Sequence, residues 1–445
     1  MVGVLIRLAA AVALTGGLAA GTAQASPVLM ISIDGLRPAD VLQAHERGLN
    51  LPVLEGLVRG GAAASGVRNA LPTVTYPNHT TLVTGVWPAR HGVAGNLVFD
   101  PLKKDMGGWY WYASDIKVPT LWDAVHAAGR PVASLGWPVT VGAHSIDFNI
   151  PEYWRAHDGR DAALERALAT PGLAEEIEAT GTPFVDTGDI SPDGDALKAR
   201  DAVAIYRLKR PALFTIHLSS LDEVEHVTGP GSPQSHAALE RIDGEVGEIV
   251  KAARAAEPDV LVAIVSDHGF APVQHEVDLA TAFVGAGLIK LDADGKPVSW
   301  EAEPWASGGS ASVVLARRDD PALRGRVAAL LDSLAADPAS GVLRVIGREQ
   351  IALSGGASDT DFFVDGRDGY SFGYKLTGPL VRPIDEMGTH GYFPDRPAMR
   401  ATLILNGPGV PAGENLGEID MRRIAPTLAR RLGVALPSAD LAPLF

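Results

Sequence analysis

The sequence predicts an α/β fold with a mostly parallel central sheet covered by helices on both faces. Two observations carry that prediction. Short apolar runs of strand length end in charged or polar clusters, and stretches with helical spacing separate them. The runs are continuously apolar rather than alternating, as expected of strands buried on both faces. VLMISID opens the series, its apolar residues from Val28 to Ile33 delivering Asp34 and Gly35 at the carboxyl end.

The next stretch, LPTVTYPNHTTLVTGVWP, has helical spacing from Thr80 to Gly85, ending at Trp87-Pro88. PTLWDAVHAAGR places Leu121, Trp122, Val125 and Ala128 on one helical face and stops at Gly129, after which VASLGWP reads as a strand. LFTIHLS, from Leu213 to Ser219, is the next strand, followed by a long amphipathic helix from His236 to Pro258. VLVAIVSDHG, from Val260, is a further strand ending in charge. Ligands bind beyond the carboxyl ends of such strands. Asp34 to Gly35, Leu221 to His226 and Asp267 to Gly269 are therefore expected to converge on one edge. From Gly269 to about Met387 the alternation is lost. RVAALLDSLAADP predicts a helix there, and LSGGASDTDFFVDGRDGYSFGY an inserted cap or hairpin region. ATLILNGPGV and RRIAPTLARRLGV restore a strand and a closing helix. The expected plan is one domain over residues 26–445, with about residues 271–387 containing a cap-like insertion.

Composition narrows the function. With 38 basic against 53 acidic residues the formal charge is −15, which disfavours a nucleic-acid polymer as partner. The first 25 residues carry a single Arg7, an apolar run from Leu8 to about Ala20 and Ala23-Gln24-Ala25, the pattern of a secretory signal cut after Ala25. The run is short for a membrane span and is broken by Gly16 and Gly17, and no later segment is long and apolar enough to span. A secreted or periplasmic protein is expected. The chain has no cysteine, so any metal must be held by His, Asp and Glu.

Five stretches supply such ligands: ISIDG (Asp34), LSSLDEVEH (Asp222, His226), IVSDHG (Asp267, His268), GTHGY (His390) and TVTYPNH with its two threonines. Six carboxylate and imidazole groups with a hydroxyl suffice for two zinc-like ions sharing a site. Singly each signal is slight, since a lone Asp after a strand is ordinarily a cap or turn residue and a His between glycines a turn residue. His217, inside a strand, reads as hydrogen-bonded core, while His79 and His91 fall near the proposed site and fit a part in it or in shaping the loop equally well.

Taken together, VLMISIDGLRPADV, LPTVTYPNHTTLVTGVWPARHGVAGN, LDEVEHVTGP, IVSDHGF and GTHGY resemble, in order from about residue 27 to residue 393, the motifs of the nucleotide pyrophosphatase/phosphodiesterase family of the alkaline phosphatase superfamily. The resemblance implies an alkaline-phosphatase-like fold and a nucleophile at Thr75, with Thr73 a loop residue. It also implies two Zn2+ ions, one held by Asp34, Thr75, Asp267 and His268, the other by Asp222, His226 and His390. Asn96 and the backbone amide after Thr75 would donate to phosphate oxygens, and a phosphothreonine would form and be hydrolysed. The implied substrate is a small phosphodiester or pyrophosphate, of a nucleotide or a lipid head group. Where many nucleotide-cleaving members have Lys-Thr-Phe, this chain has Val74-Thr75-Tyr76, which removes a cation and offers Tyr76 as an aromatic substrate-binding face. Trp109 to Tyr112 read first as packing and second as a binding groove. Two rival functions follow: a phosphomonoesterase or phosphonate hydrolase on the same site, using Arg37, Arg90, Lys103 or Lys104 for the additional charge, and a zinc-binding protein without turnover.

Overall fold

A computed structural model of the chain describes residues 25–156 and 160–445. Apart from Ala25, the expected leader lies outside the described residues. The central sheet has eight strands in the order Glu414–Asn415, Ala62–Ala63, Leu403–Asn406, Leu261–Val265, Val28–Ile33, Leu213–Leu218, Val132–Leu135 and Phe148–Ile150. The five strands from Leu261–Val265 to Phe148–Ile150 run parallel, and Leu403–Asn406 joins them antiparallel.

The first strand shows why both faces are covered. Its side chains alternate, so Leu29, Ile31 and Ile33 enter one core and Val28 and Met30 the other. Helices Pro52–Arg59, Pro192–Lys209 and Pro233–Ala256 cover the first face, through residues such as Leu54, Ile205 and Ile242. On the opposite face lie Thr75–Thr84, Leu121–Ala127 and Ile424–Leu432. Each fully buried aliphatic side chain contributes about 1.5–3 kcal/mol, so a strand apolar on both sides is held from both sides.

Val28–Ile33 sits between Leu261–Val265 and Leu213–Leu218. The three polar clusters following these strands therefore meet at one edge, as the alternation predicts. The helix Thr75–Thr84 begins five residues before the expected Thr80. Pro77 resembles a breaker in sequence, but in the first turn its missing N–H has no helical partner to lose. The amide of Asn78 donates to the carbonyls of Pro72 and Val74 and its Oδ1 accepts from Ala70 N, tying the preceding loop to the helix start.

The segment after Gly269 builds a second core. Ala302–Ser307, Ser310–Leu315, Phe362–Gly366 and Val342–Gly347 form an antiparallel sheet backed by helix Pro321–Ala336. The Gly- and Asp-rich stretch expected as a cap or hairpin gives two strands that do not pair with each other. Phe362–Gly366 has both edges taken within this sheet, while Gly369–Phe372 turns away to run parallel to Ala271–Val277.

Candidate active site

Strand ends fix the first ligand set. Asp34 directly follows Ile33, and Asp267 and His268 follow the neighbouring strand; all three are buried. Their ligand atoms lie within 4.8 Å of one another. Gly35, at φ +73°, turns the chain immediately after Asp34, and a Cβ there would press on Phe270 at 3.1 Å. The turn frees Gly35 N to donate to Asp267 Oδ1 at 3.3 Å.

A helix, a loop and the second core build the other set. Asp222 and His226 stand one turn apart on helix Ser220–Thr228, and His390 comes from the loop after the short strand Gly388–Thr389. These three also group within 4.8 Å, with His226 Nε2 3.4 Å from Asp222 Oδ2 and His390 Nε2 3.6 Å from Asp222 Oδ1. The two sets adjoin: the His268 and His390 rings stack at 3.7 Å, and His268 Nε2 lies 4.0 Å from Asp222 Oδ1.

Each ligand-type histidine has its Nδ1 against a carbonyl: His268 on Gly269 O at 3.1 Å, His226 on Gly388 O at 3.0 Å and His390 on Thr73 O at 3.1 Å. Donation there leaves the Nε2 lone pair aimed into the site, the tautomer a metal requires. Asp34 Oδ1, Asp222 Oδ1, Asp267 Oδ2 and His268 Nε2 are buried with no hydrogen-bond partner. Unpaired buried polar atoms are costly, and four converging on one volume fit a cation there.

The electrostatics agree. Burial, then the charges of Asp267 and Asp222, push the Asp34 carboxyl up to about 8. Burial also works to raise Asp267, but His268 and His79 beside it overcome this and hold it well below the usual carboxylate range. Burial would lower His268, yet Asp267 and Asp34 bring it up to about 10. Three clustered carboxylates thus draw positive charge into a site that, among the described residues, no lysine or arginine lines.

Thr75 opens the helix and lines the same cavity as Asp34, Asp222, Asn96, His226 and His390. It is 8 % exposed, while Thr73 is wholly buried, with its hydroxyl donating to Tyr392 O and its carbonyl receiving His390. Tyr76 N donates to Asn96 Oδ1 at 2.9 Å. That backbone amide, expected at phosphate, is instead taken by the Oδ1 of Asn96, which lines the cavity and keeps its Nδ2 donors out of this bond. Tyr76 is only 1 % exposed, its ring packed on Trp109 at 5.2 Å and Trp111 at 6.0 Å. Trp111 is core, Trp109 lines the cavity and Tyr112 faces solvent. None of the four candidate cations lines it: Arg37 pairs with Asp40 and Glu225, Arg90 with Asp440, Lys103 donates to Tyr374 O and Lys104 is exposed.

Two residues at the site escaped the sequence. His217 Nε2 lies 3.0 Å from Asp34 Oδ2 and its Nδ1 3.0 Å from Glu152 Oε2, while Tyr76 Oη donates to Glu152 Oε1 at 2.7 Å. The strand position of His217 gave a core reading, correct for burial and silent on Asp34. Glu152 carried no sequence signal.

The fold and the two adjoining ligand sets define an alkaline-phosphatase-like α/β protein with a candidate double metal centre. The sequence profile of the type I phosphodiesterase/nucleotide pyrophosphatase family matches residues 28–393, and the chain belongs to that family. It is similar to human ectonucleotide pyrophosphatase/phosphodiesterase family member 1, 26 % identical over 255 residues that cover 55 % of this chain and 23 % of the human protein. An uncharacterized pyrophosphatase/phosphodiesterase of Schizosaccharomyces pombe is 28 % identical over 255 residues, covering 56 % of this chain and 45 % of that one. The chain thus matches less than half the length of either relative. Murine ectonucleotide pyrophosphatase/phosphodiesterase 5 superposes with a TM-score of 0.63 at 18 % identity, over 92 % of this chain and 96 % of that one. A further structure of that murine protein is an inactive threonine-to-alanine form in complex with AMP.

Proposed function

We propose that the chain is an exported, two-zinc phosphodiesterase or nucleotide pyrophosphatase that works through a phosphothreonine at Thr75. The observation that carries this reading is the set of four buried ligand atoms without a hydrogen-bond partner that face one another at the cavity Thr75 lines. Asp34, Asp267, His268 and Thr75 would hold one zinc, and Asp222, His226 and His390 the other. Such ions supply Lewis-acid stabilisation of the attacking and departing oxygens.

The chain's own groups do the rest. Thr75 Oγ1 attacks phosphorus as its proton passes to solvent, and the bond from phosphorus to the departing oxygen breaks with its electron pair, that oxygen taking a proton from solvent as it leaves. Asn96 Nδ2 donates to a non-bridging oxygen, stabilising the charge that builds there. Water then cleaves the phosphothreonine and restores the hydroxyl. The inactivity of the threonine-to-alanine murine relative supports this role for the hydroxyl, and its complex with AMP supports a phosphate ester as ligand. The absence of lysine and arginine from the cavity lining favours a diester, with one charge at phosphorus, over a monoester with two.

Residues 26–445 are read as one catalytic domain, with the second core within 271–387 as its insertion. Export rests on the leader pattern of residues 1–25; among the described residues no helix is long and apolar enough to cross a membrane. The test is paired hydrolysis of bis-p-nitrophenyl phosphate and p-nitrophenyl phosphate by zinc-loaded protein, with Thr75→Ala as control. Diester preference that disappears in the variant is expected. Full turnover by Thr75→Ala, or preference for the monoester, overturns the reading.

A further inference from the structure

The hairpin that begins at Asn96 reaches out of the site and into the second core. Leu97 and Trp109 pair across it, Val98 N donates to Gly108 O at 2.8 Å and Tyr110 N to Asn96 O at 3.0 Å. Asn96 and Trp109, at its base, line both the cavity beside Thr75 and a neighbouring one that extends to Ser307 and Gly308. Its tip is folded around Asp100, whose carboxylate accepts Leu102 N at 3.2 Å and Asp105 N at 2.8 Å. Asn96 directly follows Gly95, so the chain entering it is freer than the paired chain leaving it.

Two side chains of the tip dock against the strand Ala302–Ser307. Phe99 meets Trp305 edge to face at 5.4 Å, and Trp300, just before that strand, at 5.7 Å. Lys103 donates to Tyr374 O at 2.5 Å, and Tyr374 Oη donates in turn to Ala306 O at 2.6 Å. Lys103 takes φ +50°, a left-handed conformation that a residue with a side chain keeps only where its surroundings hold it. Glu303, on the same strand, is wholly buried, and neither of its carboxylate oxygens has a hydrogen-bond partner. Burial raises its carboxyl well above the ordinary range, and the Lys103 charge opposes that rise. A buried carboxylate without hydrogen bonds is unfavourable, and the ammonium at the hairpin tip supplies its countercharge.

We propose that Lys103 is a positioning residue, anchoring the hairpin tip in the second core beside Glu303 so that Asn96 and Trp109 keep their places at the cavity. Its ammonium, a candidate in sequence for meeting substrate charge, acts instead from the hairpin tip and through Asn96. The catalytic consequence rests on the phosphodiesterase reading, and the anchorage itself does not.

Hydrogen exchange over residues 96–110 of the full chain, read by mass spectrometry, tests the anchorage without turnover. Lys103→Met and Glu303→Gln should each speed exchange there about tenfold, as an easier local opening does, while helix Pro233–Ala256 keeps its wild-type protection. Unchanged exchange in Lys103→Met overturns the anchorage, and unchanged exchange in Glu303→Gln overturns the part given to Glu303. With bis-p-nitrophenyl phosphate, Lys103→Met should lower kcat about tenfold, the scale of a small misplacement of a catalytic group, and leave KM within about twofold. In an Asn96→Ala background the same substitution should have almost no further effect, because both changes remove one contribution. Losses that multiply across the two variants overturn the positioning role. No turnover by the wild-type protein overturns the phosphodiesterase reading and with it the role in catalysis, and the exchange measurement still decides the anchorage.

Discussion

The two ligand sets are built differently. Asp34, Asp267 and His268 are buried and grow from the ends of two adjacent parallel strands. Asp222 and His226 are only half-buried, on a nine-residue helix, and His390 arrives from a loop against the second core. The inner set is part of the sheet, whereas the outer set is assembled from one helix and one loop distant in sequence. Position at the sheet edge gives rigidity, and partial exposure gives access for substrate and water; the pair supplies one of each.

Breaking the inner set should cost most. Under the two-zinc reading, Asp267→Asn lowers turnover of bis-p-nitrophenyl phosphate by more than about 10³-fold, beyond the roughly 10–100-fold that partners behind a ligand cost. Metal analysis should show the inner ion lost. His226→Ala should lower turnover by about 10²–10³-fold, the scale of losing one charge-stabilising group, while one equivalent of zinc stays bound. Chelator titration sharpens the contrast: two-stage release, with the exposed ion leaving first, is expected, and single-stage release would erase the distinction between the sets.

Smaller effects test what stands behind the inner set. His217→Asn removes the partner of Asp34 Oδ2, and zinc affinity measured by competition should fall about 10–100-fold with the circular dichroism spectrum unchanged. Tyr76→Phe removes one buried hydrogen bond to Glu152. It should lower stability in urea by about 1 kcal/mol and change kcat by less than about threefold, below the roughly fivefold that the whole bond would be worth if felt in the transition state.

The contrast between the sets also explains what could be read from sequence. Asp34, Asp267 and His268 were legible because an apolar run ending in charge gives both the strand and the place of its polar end. The α/β class followed from the same signal. Asp222 and His226 were legible as a polar cluster following a strand, and the helix Ser220–Thr228 that sets them one turn apart was not. His390 between glycines carried no local signal and was found through the family's motif order. His217 and Glu152 stayed hidden as a pair because their links join residues 65 and 183 positions apart. The start of helix Thr75–Thr84 was misplaced because Pro77 reads as a breaker without its neighbours. Trp109 read first as packing and second as a binding groove, and the folded chain puts it on the cavity with Trp154 beside it.

The loop that brings His390 rests on the turn between strands Ala302–Ser307 and Ser310–Leu315. Gly309 N donates to His390 O at 2.7 Å, and a Cβ on Gly308 would stand 2.3 Å from that same oxygen. Gly391, at φ +87°, would drive a Cβ to 1.8 Å from Ser307 O. The second core is therefore no interchangeable module. Grafting a related one onto this sheet would transplant the footing of a candidate metal ligand along with the surface around it, and a chimera that preserves sequence length but loses the diglycine corner would keep the cavity and lose the place of His390.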